Sequence, residues 1–323
     1  MLKVAIVGAT GVVGETIARV LEERKLPVAT LGRFASRARD GVEATTPERL
    51  RDFDVVFFAS GEDASETYAP ALVEQGTFVI DNSSTFRMRD NVPLVIPEVN
   101  PGAVAPEHRL FPVANCTAII LCTALAPIRD AAGLSSVRVA TYQSASGAGR
   151  AGLDELLAGE RAIACGEPEP EPSTFPAALA RNVIPQIGAF DASGSSGEER
   201  KVAEETRKML GLPELFVSAT TVRVPVRTAH AEAVWIETAR DTSVEALGAA
   251  LAAAPGIVYH AQGIVTPRQV EGTDLVHVAR LRAEVPGSRR HFVLWCVGDQ
   301  LRKGAATNAV QILELLLARG LVE

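Results

Sequence analysis

Leu2-Lys-Val-Ala-Ile-Val-Gly8-Ala-Thr-Gly11-Val-Val-Gly14 stands at the head of the chain. Residues 2–7 are almost entirely apolar, as in a strand buried on both faces of a parallel sheet. After the glycines, Ile17, Val20 and Leu21 recur at helical spacing. Between a strand and a helix, such glycines let the backbone approach a dinucleotide pyrophosphate, although the spacing is G-x-x-G-x-x-G rather than G-x-G-x-x-G. We therefore expect dinucleotide contacts from Gly8, Thr10, Gly11, Val12, Val13 and Gly14.

Further strand patterns follow this turn, with a helical pattern at residues 64–72 between them. They cover residues 28–31, 54–59 and 77–80, and the second of them ends in Ser60. Alternating strands and helices indicate a doubly wound, mostly parallel, Rossmann-like sheet of the α/β class, which binds ligands beyond the carboxyl ends of its strands. Ser60 is accordingly a further candidate cofactor contact, and Arg87 follows the strand after it.

The loop after the second predicted strand bears on the choice of cofactor. In such folds an acidic residue here binds the ribose of NAD, whereas arginine accepts the 2′-phosphate of NADP. The loop contains Ser36, Arg37 and Arg39, and no acid comes before Asp40. We therefore predict NADP, with a solvated basic loop as the alternative interpretation.

Residues 111–118, Phe-Pro-Val-Ala-Asn-Cys-Thr-Ala, contain the candidate nucleophile, Cys116. A helical segment is predicted at residues 119–128. A thiol at the first turn of a helix faces unpaired N–H groups and the positive end of the helix dipole, which favour the nucleophilic thiolate. The alternative is a buried cysteine that acts as a small apolar side chain.

The pattern changes after this point, which predicts a second, α+β domain. We place it at residues 119–300, with residues 1–118 and 301–323 forming the dinucleotide-binding domain. The second domain shows strands at 137–142, 220–226 and 229–236, a Gly/Ser loop at 144–149 and an exposed, proline-rich excursion at 165–176. A terminal helix is predicted at 301–317.

Composition limits the classes of function. The chain has 323 residues, 47% hydrophobic and 22% charged, with a net charge of −7 and no basic block, which argues against nucleic acid as a partner. No run reaches the roughly 18 apolar residues of a membrane span. The four cysteines lie far apart without a CxxC pair, which argues against a metal site and a disulfide scaffold and favours a cytoplasmic protein.

A set of motifs in a fixed order resembles the aspartate-semialdehyde dehydrogenase family. These motifs are Gly8–Gly14, Ser83–Arg87, Pro97–Asn100, Asn115–Thr117, Tyr142–Gln143 with Ser146–Gly149, Asn182–Pro185, Glu198–Lys201, Arg223–Val226 with His230 and Glu232, and Leu301–Asn308. The resemblance implies reduction of L-aspartyl 4-phosphate by NADPH to aspartate 4-semialdehyde and inorganic phosphate. That reaction belongs to lysine, threonine and methionine biosynthesis.

The same resemblance implies roles for individual residues. Cys116 resembles the nucleophile that forms an acyl-enzyme, Gln143 the residue that orients the substrate, and His230 the acid/base group. Arg223 resembles the clamp on the substrate α-carboxylate, with Glu198 or Glu199 near the amino group. The phosphate site would hold Arg87, Asn115 and Lys201, and further cofactor contacts would come from Ser146, Gly147 and Asn308. The resemblance also implies that residues 119–300 bind the substrate and form the contact of a homodimer or a dimer of dimers.

The sequence departs from the family pattern in places, and two alternatives to the resemblance stay open. The usual Gly-His-Ser is Ala229-His230-Ala231 here, and the arginine that usually stands two residues after the serine of the 35–39 loop is shifted. N-acetyl-γ-glutamyl-phosphate reductase shares the thioester chemistry and is the nearest other enzyme. A non-catalytic, cofactor-binding paralogue is the alternative from a different class.

Overall fold

The computed structural model describes residues 1–322, which form two compact units. The first unit consists of Met1–Asn115 and the residues from Ala305 onward, and the second of Cys116–Gly304. The second unit is therefore inserted into the sequence of the first.

A single parallel sheet forms the centre of the first unit. Its strands lie in the order β3-β2-β1-β4-β5-β6, and every pairing is parallel. This is the strand order of the dinucleotide-binding Rossmann sheet, so the predicted doubly wound fold is confirmed. The strands are β1 (Leu2–Val7), β2 (Val28–Ala35), β3 (Glu43–Ala44), β4 (Val55–Phe58), β5 (Phe78–Asp81) and β6 (Leu110–Pro112), and the helices are α1 (Val12–Glu23), α2 (Pro47–Leu50) and α3 (Glu62–Glu74).

The second unit is built on a mixed sheet. Its strands lie in the order β10-β11-β12-β9-β7-β8, with parallel pairs at both edges and antiparallel pairs between them. The helices are α4 (Cys116–Ala132), α5 (Gly149–Cys165), α6 (Gly197–Leu210), α7 (Val244–Ala253) and α8 (Pro267–Val270), and the strands are β7 (Ser136–Gln143), β8 (Phe216–Arg223), β9 (His230–Glu237), β10 (Ile257–His260), β11 (Val276–Ala283) and β12 (His291–Gly298).

The two faces of this second sheet differ. Helices α4, α6 and α7 pack against its strands. Along β7 the side chains alternate, so that Val137, Val139 and Gln143 are buried while Arg138 and Tyr142 are exposed. We call the exposed side the open face of the second sheet.

The last helix, α9 (Thr307–Ala318), returns to the first unit and packs against α1. Arg24 forms a two-pronged ion pair with Glu314 at 2.8 and 3.0 Å. Gln311 donates to Glu98 at 2.7 Å. Among residues 1–322, no helix is both long and apolar enough to cross a membrane.

Two predicted element boundaries were wrong because pairing partners extend or end a strand. Strand β2 continues past Leu31 to Ala35, since Phe34 pairs with Val7 of β1 and Ala35 with β3. Strand β8 ends at Arg223 rather than Val226, because Pro225 has no N–H to donate to a neighbouring strand.

The two helix boundaries nearest to Cys116 also differ from prediction. Helix α4 begins at Cys116 itself rather than at Ile119. The terminal helix begins at Thr307 rather than Leu301, because residues 302–306 form a wider π-type turn. A side chain at Gly304 in that turn would come within 2.9 Å of the Cys116 Cβ, so close packing against Cys116 fixes the local path.

The proline-rich segment at residues 165–176 is exposed up to Glu171, as predicted, but its end is anchored. Phe175 is buried against Leu156 and Leu179. Glu155 accepts the N–H groups of Ser173 and Thr174 at 2.9 and 2.6 Å. The prediction of a fully exposed excursion was therefore wrong for Phe175.

Candidate active site

Cys116 is the first residue of α4 and is partly exposed. The 17-residue helix places its positive end at the thiol, which favours thiolate. Cys122 and Cys296 are fully buried, and burial raises the pKa of each thiol well above its ordinary value. Of the four thiols, only those of Cys116 and Cys165 are within reach of solvent, and Cys165 lies at the exposed end of α5.

His230 begins β9 and has no exposed surface. Its Nδ1 accepts the backbone N–H of Ser144 at 3.1 Å, and the Ser144 hydroxyl lies at the same distance. Burial and, to a smaller extent, the nearby charge of Arg223 lower the pKa of His230 from 6.5 to about 3, so the ring is neutral near pH 7. Among the described residues, its Nε2 has no hydrogen-bond partner.

Arg223 ends β8 and lies beside this histidine. It is 5% exposed, and its Nη1 donates to the Ser144 carbonyl at 2.6 Å. Burial lowers the pKa of Arg223, whereas the charges of Cys116 and Glu198 act to raise it. These influences mean that the guanidinium lies near both acidic groups.

Gly147 makes room for this pair of side chains. A Cβ on Gly147 would lie 2.8 Å from Nη1 of Arg223 and 3.1 Å from Nε2 of His230. Gly147 itself is exposed. The absence of a side chain therefore lets Arg223 and His230 pack directly against the backbone of Gly147.

Gln143 ends β7 directly opposite Arg223 in the parallel pairing. Its Nε2 donates to Glu198 at 3.0 Å, and its Oε1 accepts from Thr141 at 3.0 Å, so the amide orientation is fixed. Glu198 lies in the first turn of α6, and Lys201 follows one turn later, half-buried. Strand ends and one helix start thus bring Gln143, Arg223 and Glu198 together.

The structure distinguishes the two candidate glutamates. Glu199 accepts the N–H of Ser196 at 2.7 Å and that of Thr221 at 3.1 Å. It completes the capping box of α6, so its carboxylate is engaged with backbone. Glu198, and not Glu199, is the one that contacts Gln143.

The turn after β1 fits a dinucleotide. Gly8 has a φ of 87°, and a Cβ there would lie 2.5 Å from the Ala59 carbonyl oxygen; one at Gly14 would lie 2.3 Å from the Gly8 carbonyl oxygen. Gly11 is the N-cap of α1, and Thr10, Val12 and Val13 are partly exposed beside it. Ser60 follows β4, and its buried Oγ has no partner among the described residues.

The residues predicted to contact the 2′-phosphate, the substrate phosphate and the rest of the cofactor differ in how far they are buried. Ser36, Arg37 and Arg39 are exposed beyond the end of β2. Arg87 is 8% exposed, and its Nη2 donates to the Asn82 carbonyl at 2.9 Å. Asn115 is 6% exposed and directly precedes Cys116 in the sequence. The buried Asn308 donates to the Val95 carbonyl at 3.0 Å within the first unit.

Two residues without a predicted role complete the second-unit site. Gln300 donates to the Ser146 hydroxyl and accepts the N–H of Ala229, both at 2.6 Å. Ala229 has a φ of 70°, a region that favours glycine, which explains why the family pattern has Gly before the histidine. The second of these residues is Ser144. No group of three or more His, Cys, Asp or Glu in residues 1–322 is arranged to hold a metal.

Comparison with known proteins identifies the family. Residues 3–106 match the model described as semialdehyde dehydrogenase, NAD binding domain, and residues 125–303 match semialdehyde dehydrogenase, dimerisation domain. The chain is 41% identical to aspartate-semialdehyde dehydrogenase of Shewanella violacea, with 97% of each chain covered. The chain belongs to the aspartate-semialdehyde dehydrogenase family.

Two further members of the family support this. The Aquifex aeolicus aspartate-semialdehyde dehydrogenase is 40% identical, with 99% of each chain covered. The crystal structure of aspartate semialdehyde dehydrogenase II from Vibrio cholerae, complexed with ASA, is 40% identical and superposes with a TM-score of 0.92 over 98% of each chain. The predicted family is confirmed, as is a NAD(P)-binding Rossmann domain joined to a dimerisation domain. N-acetyl-γ-glutamyl-phosphate reductase is not favoured.

Proposed function

We propose that this chain catalyses the reversible, NADPH-dependent conversion of L-aspartyl 4-phosphate to L-aspartate 4-semialdehyde and inorganic phosphate. It would act as a phosphorylating aldehyde dehydrogenase in lysine, threonine and methionine biosynthesis. The observation that carries the proposal is the grouping of Cys116, Arg223 and Glu198, with His230 beside the arginine. The family membership and the ASA complex of the Vibrio cholerae relative support the substrate.

The charged side chains suit the groups of this substrate. Arg223 would bind the α-carboxylate, because guanidinium forms paired hydrogen bonds with carboxylates. The Glu198 carboxylate would accept a hydrogen bond from the α-ammonium group. Gln143, whose amide donates to Glu198, would orient the reacting acyl group. Arg87, Asn115 and Lys201 would bind the phosphate. Holding both ends of the substrate fixes the carbonyl carbon relative to the thiol.

Cys116 supplies the covalent step. Its thiolate attacks the acyl phosphate carbon, the C–O bond to phosphate breaks, and a thioester remains on Cys116. The bound nicotinamide cofactor supplies the hydride that reduces this thioester. The resulting oxyanion on the Cys116-bound carbon collapses, which releases the aldehyde and regenerates the thiolate. His230 lies beside Arg223, where it can contact the reacting oxygen.

We assign the cofactor to residues 1–118 and 301–323, and substrate binding and dimerisation to residues 119–300. Gly8, Gly11 and Gly14 would admit the pyrophosphate, with contacts from Thr10, Val12, Val13, Ser60, Ser146, Gly147 and Asn308. Ser36, Arg37 and Arg39 are exposed where an adenosine 2′-phosphate would be bound, which favours NADP. A cytoplasmic homodimer or dimer of dimers completes the proposal.

The decisive assay follows phosphate-dependent reduction of NADP, and of NAD, with aspartate semialdehyde or N-acetylglutamate semialdehyde. We expect activity with the first aldehyde only, faster with NADP. Cys116→Ala should abolish it, whereas Cys165→Ala, at an exposed helix end, should not. Turnover by the Cys116→Ala variant would show that Cys116 is not the nucleophile. Activity only with N-acetylglutamate semialdehyde would indicate N-acetyl-γ-glutamyl-phosphate reductase. Absence of activity with either aldehyde, in folded protein that binds the cofactor, would indicate a non-catalytic paralogue.

A further inference from the structure

Thr141 lies two residues before Gln143 on β7, and the two side chains are bonded to each other. Residues two apart in a strand point to the same face, and both side chains are buried. The Thr141 hydroxyl donates to Oε1 of Gln143 at 3.0 Å. Nε2 of Gln143 in turn donates to Glu198 at 3.0 Å. A threonine without a predicted role is therefore linked to two of the predicted site residues.

The groups at the two ends of this chain set the direction of every hydrogen bond in it. At one end the backbone N–H of Val222, which can only donate, lies 3.4 Å from the Thr141 hydroxyl oxygen. At the other end the Glu198 carboxylate can only accept. The single hydroxyl proton of Thr141 is then directed to Gln143. The amide must place its oxygen towards Thr141 and its nitrogen towards Glu198.

The residues beside Thr141 in the sheet have partners of their own. Glu232 stands opposite Thr141 on β9, and its Oε2 accepts from the Cys296 thiol at 3.3 Å. Thr221 stands opposite Thr141 on β8, and its hydroxyl lies 3.3 Å from that of Ser196. Within residues 1–322 neither neighbour is hydrogen-bonded to the Thr141 hydroxyl. Its proton is therefore committed to Gln143.

Loss of the Thr141 hydroxyl would affect Gln143 in two ways. The buried Oε1 would lose its donor, and an unsatisfied buried acceptor is costly. The terminal torsion of a glutamine side chain is broad and roughly two-fold, so the amide would also lose the bond that holds its plane. A half-turn of the amide would bring its oxygen against the Glu198 carboxylate, where two acceptors repel each other. The hydroxyl thus keeps the amide in its productive orientation.

We propose that Thr141 is a positioning residue, which fixes the Gln143 amide so that one side chain can hold Glu198 and orient the acyl group together. This rests on the proposed function, in which Glu198 binds the α-ammonium group of the substrate. Thr141 acts through Gln143 and does not itself contact the substrate. An amide that is already fixed before the substrate arrives need not be ordered during the reaction, which lowers the entropic part of the barrier.

The kinetic test is a double-mutant cycle on the full chain. Thr141→Val removes the hydroxyl at nearly constant volume and should lower kcat/KM for aspartate semialdehyde roughly 3- to 10-fold, as for loss of one buried hydrogen bond. In a Gln143→Met background the same substitution should change kcat/KM by less than about 2-fold, because the side chain through which Thr141 acts is gone. An equal loss in both backgrounds would overturn the proposal.

Two further variants separate the hydroxyl from its surroundings. Thr141→Ser keeps the hydroxyl and should retain most of the wild-type kcat/KM. Thr123→Val is the matched control, since Thr123 is 1% exposed on α4 and its hydroxyl bonds to the Ile119 carbonyl of its own helix at 2.7 Å. It should change kcat/KM by less than about 2-fold. A Thr141→Ser enzyme as slow as Thr141→Val, or an equal loss in Thr123→Val, would contradict the assignment.

A second measurement does not depend on turnover. In ¹⁵N-labelled protein, the Gln143 side-chain amide signals are assigned by their loss in Gln143→Met. Their protons should exchange with water more slowly than those of the exposed Gln262. Thr141→Val should speed this exchange roughly 3- to 10-fold, whereas Thr123→Val should not.

Two NMR outcomes would reject the role of Thr141. One is rapid exchange of the Gln143 amide in the wild-type protein, a result that requires no Thr141 variant to fold. The other is unchanged exchange in Thr141→Val. Slow exchange that depends on Thr141, in a wild-type protein without activity towards aspartate semialdehyde, would reject the proposed reaction and leave the link between Thr141 and Gln143 standing.

Discussion

Gly147 has no side chain at the point where Arg223 and His230 meet. In Gly147→Ala the new methyl would lie 2.8 Å from Nη1 of Arg223 and 3.0 Å from Cε1 of His230, so both side chains must shift. Displacement of positioning groups by about 1 Å can cost on the order of 10²-fold. We expect kcat/KM to fall by roughly that factor while the thermal unfolding midpoint changes little, since Gly147 is exposed.

The matched control is Gly102→Ala, where nothing lies within 4 Å of the added methyl. It should keep full activity. Wild-type kinetics in Gly147→Ala would mean that Arg223 and His230 move without consequence, and the catalytic assignment of both would be untenable.

Among individual residues, local sequence motifs predicted those that carry the proposed chemistry but not those that position them. Cys116, Gln143 and Arg223 stand in short patterns that the sequence displays directly. Ser144 and Gln300 act on His230 and Ala229, from which they are separated by 86 and 71 residues. Only the packing of β7, β9 and the loop after β12 brings these partners together. A one-dimensional pattern therefore gives no signal for either role.

Strand β9 carries a buried acid, Glu232, two residues after His230. Glu232 has no exposed surface, its Oε2 accepts from the Cys296 thiol at 3.3 Å, and burial raises its pKa from 4.5 to about 8. Between these values the folded state holds a proton that the unfolded state has lost. Stability therefore falls as pH rises from about 4.5 to about 8, by up to about 1.4 kcal/mol per pH unit.

We expect Glu232→Gln to remove most of this slope. The free energy of unfolding, from urea titrations between about pH 6.5 and 9, measures the effect. His230 has an effect of opposite sign at lower pH. Because its pKa is lowered to about 3 in the folded state, stability falls as pH drops below about 6.5. Glu237→Gln, at the partly exposed end of the same strand, is the control and should keep the wild-type slope. An equally steep slope in Glu232→Gln would place the titrating group elsewhere.

Element types followed from the sequence more reliably than element ends. Apolar patterns predict the buried strands β1, β4 and β5 and the helices α1, α3 and α4 close to where the structure has them. The end of β2 was missed because pairing of Phe34 with Val7 overrides the local Gly32-Arg33 break. The π-type turn before α9 was missed because its cause is contact between Gly304 and Cys116, which are far apart in the chain.

The open face of the second sheet is the natural candidate for the dimer contact. Arg138, Thr220 and Trp235 line a shallow cavity of about 490 Å³ on it, and Tyr142 is 38% exposed. The second unit also matches a dimerisation domain. An exposed sheet surface with aromatic side chains is typical of a protein interface.

We expect Ala140→Arg, in the middle of this face, to weaken the proposed dimer, because a desolvated charge would be placed in the contact. Light scattering coupled to size-exclusion chromatography would report the mass. Ala164→Arg, on the exposed surface of α5, adds the same charge elsewhere and should leave the mass unchanged. If Ala140→Arg keeps the wild-type mass, the contact lies on another surface.

The return of α9 to the first unit has a consequence for how the chain is made. A ribosome releases residues 1–115 long before the helix that pairs Glu314 with Arg24 and Gln311 with Glu98. Residues 116–304, by contrast, emerge as one continuous piece that holds all of its own sheet. During translation the inserted unit can therefore reach its final packing before the first unit, whose sheet is complete within residues 1–115 but which lacks α9 until that helix has been synthesised.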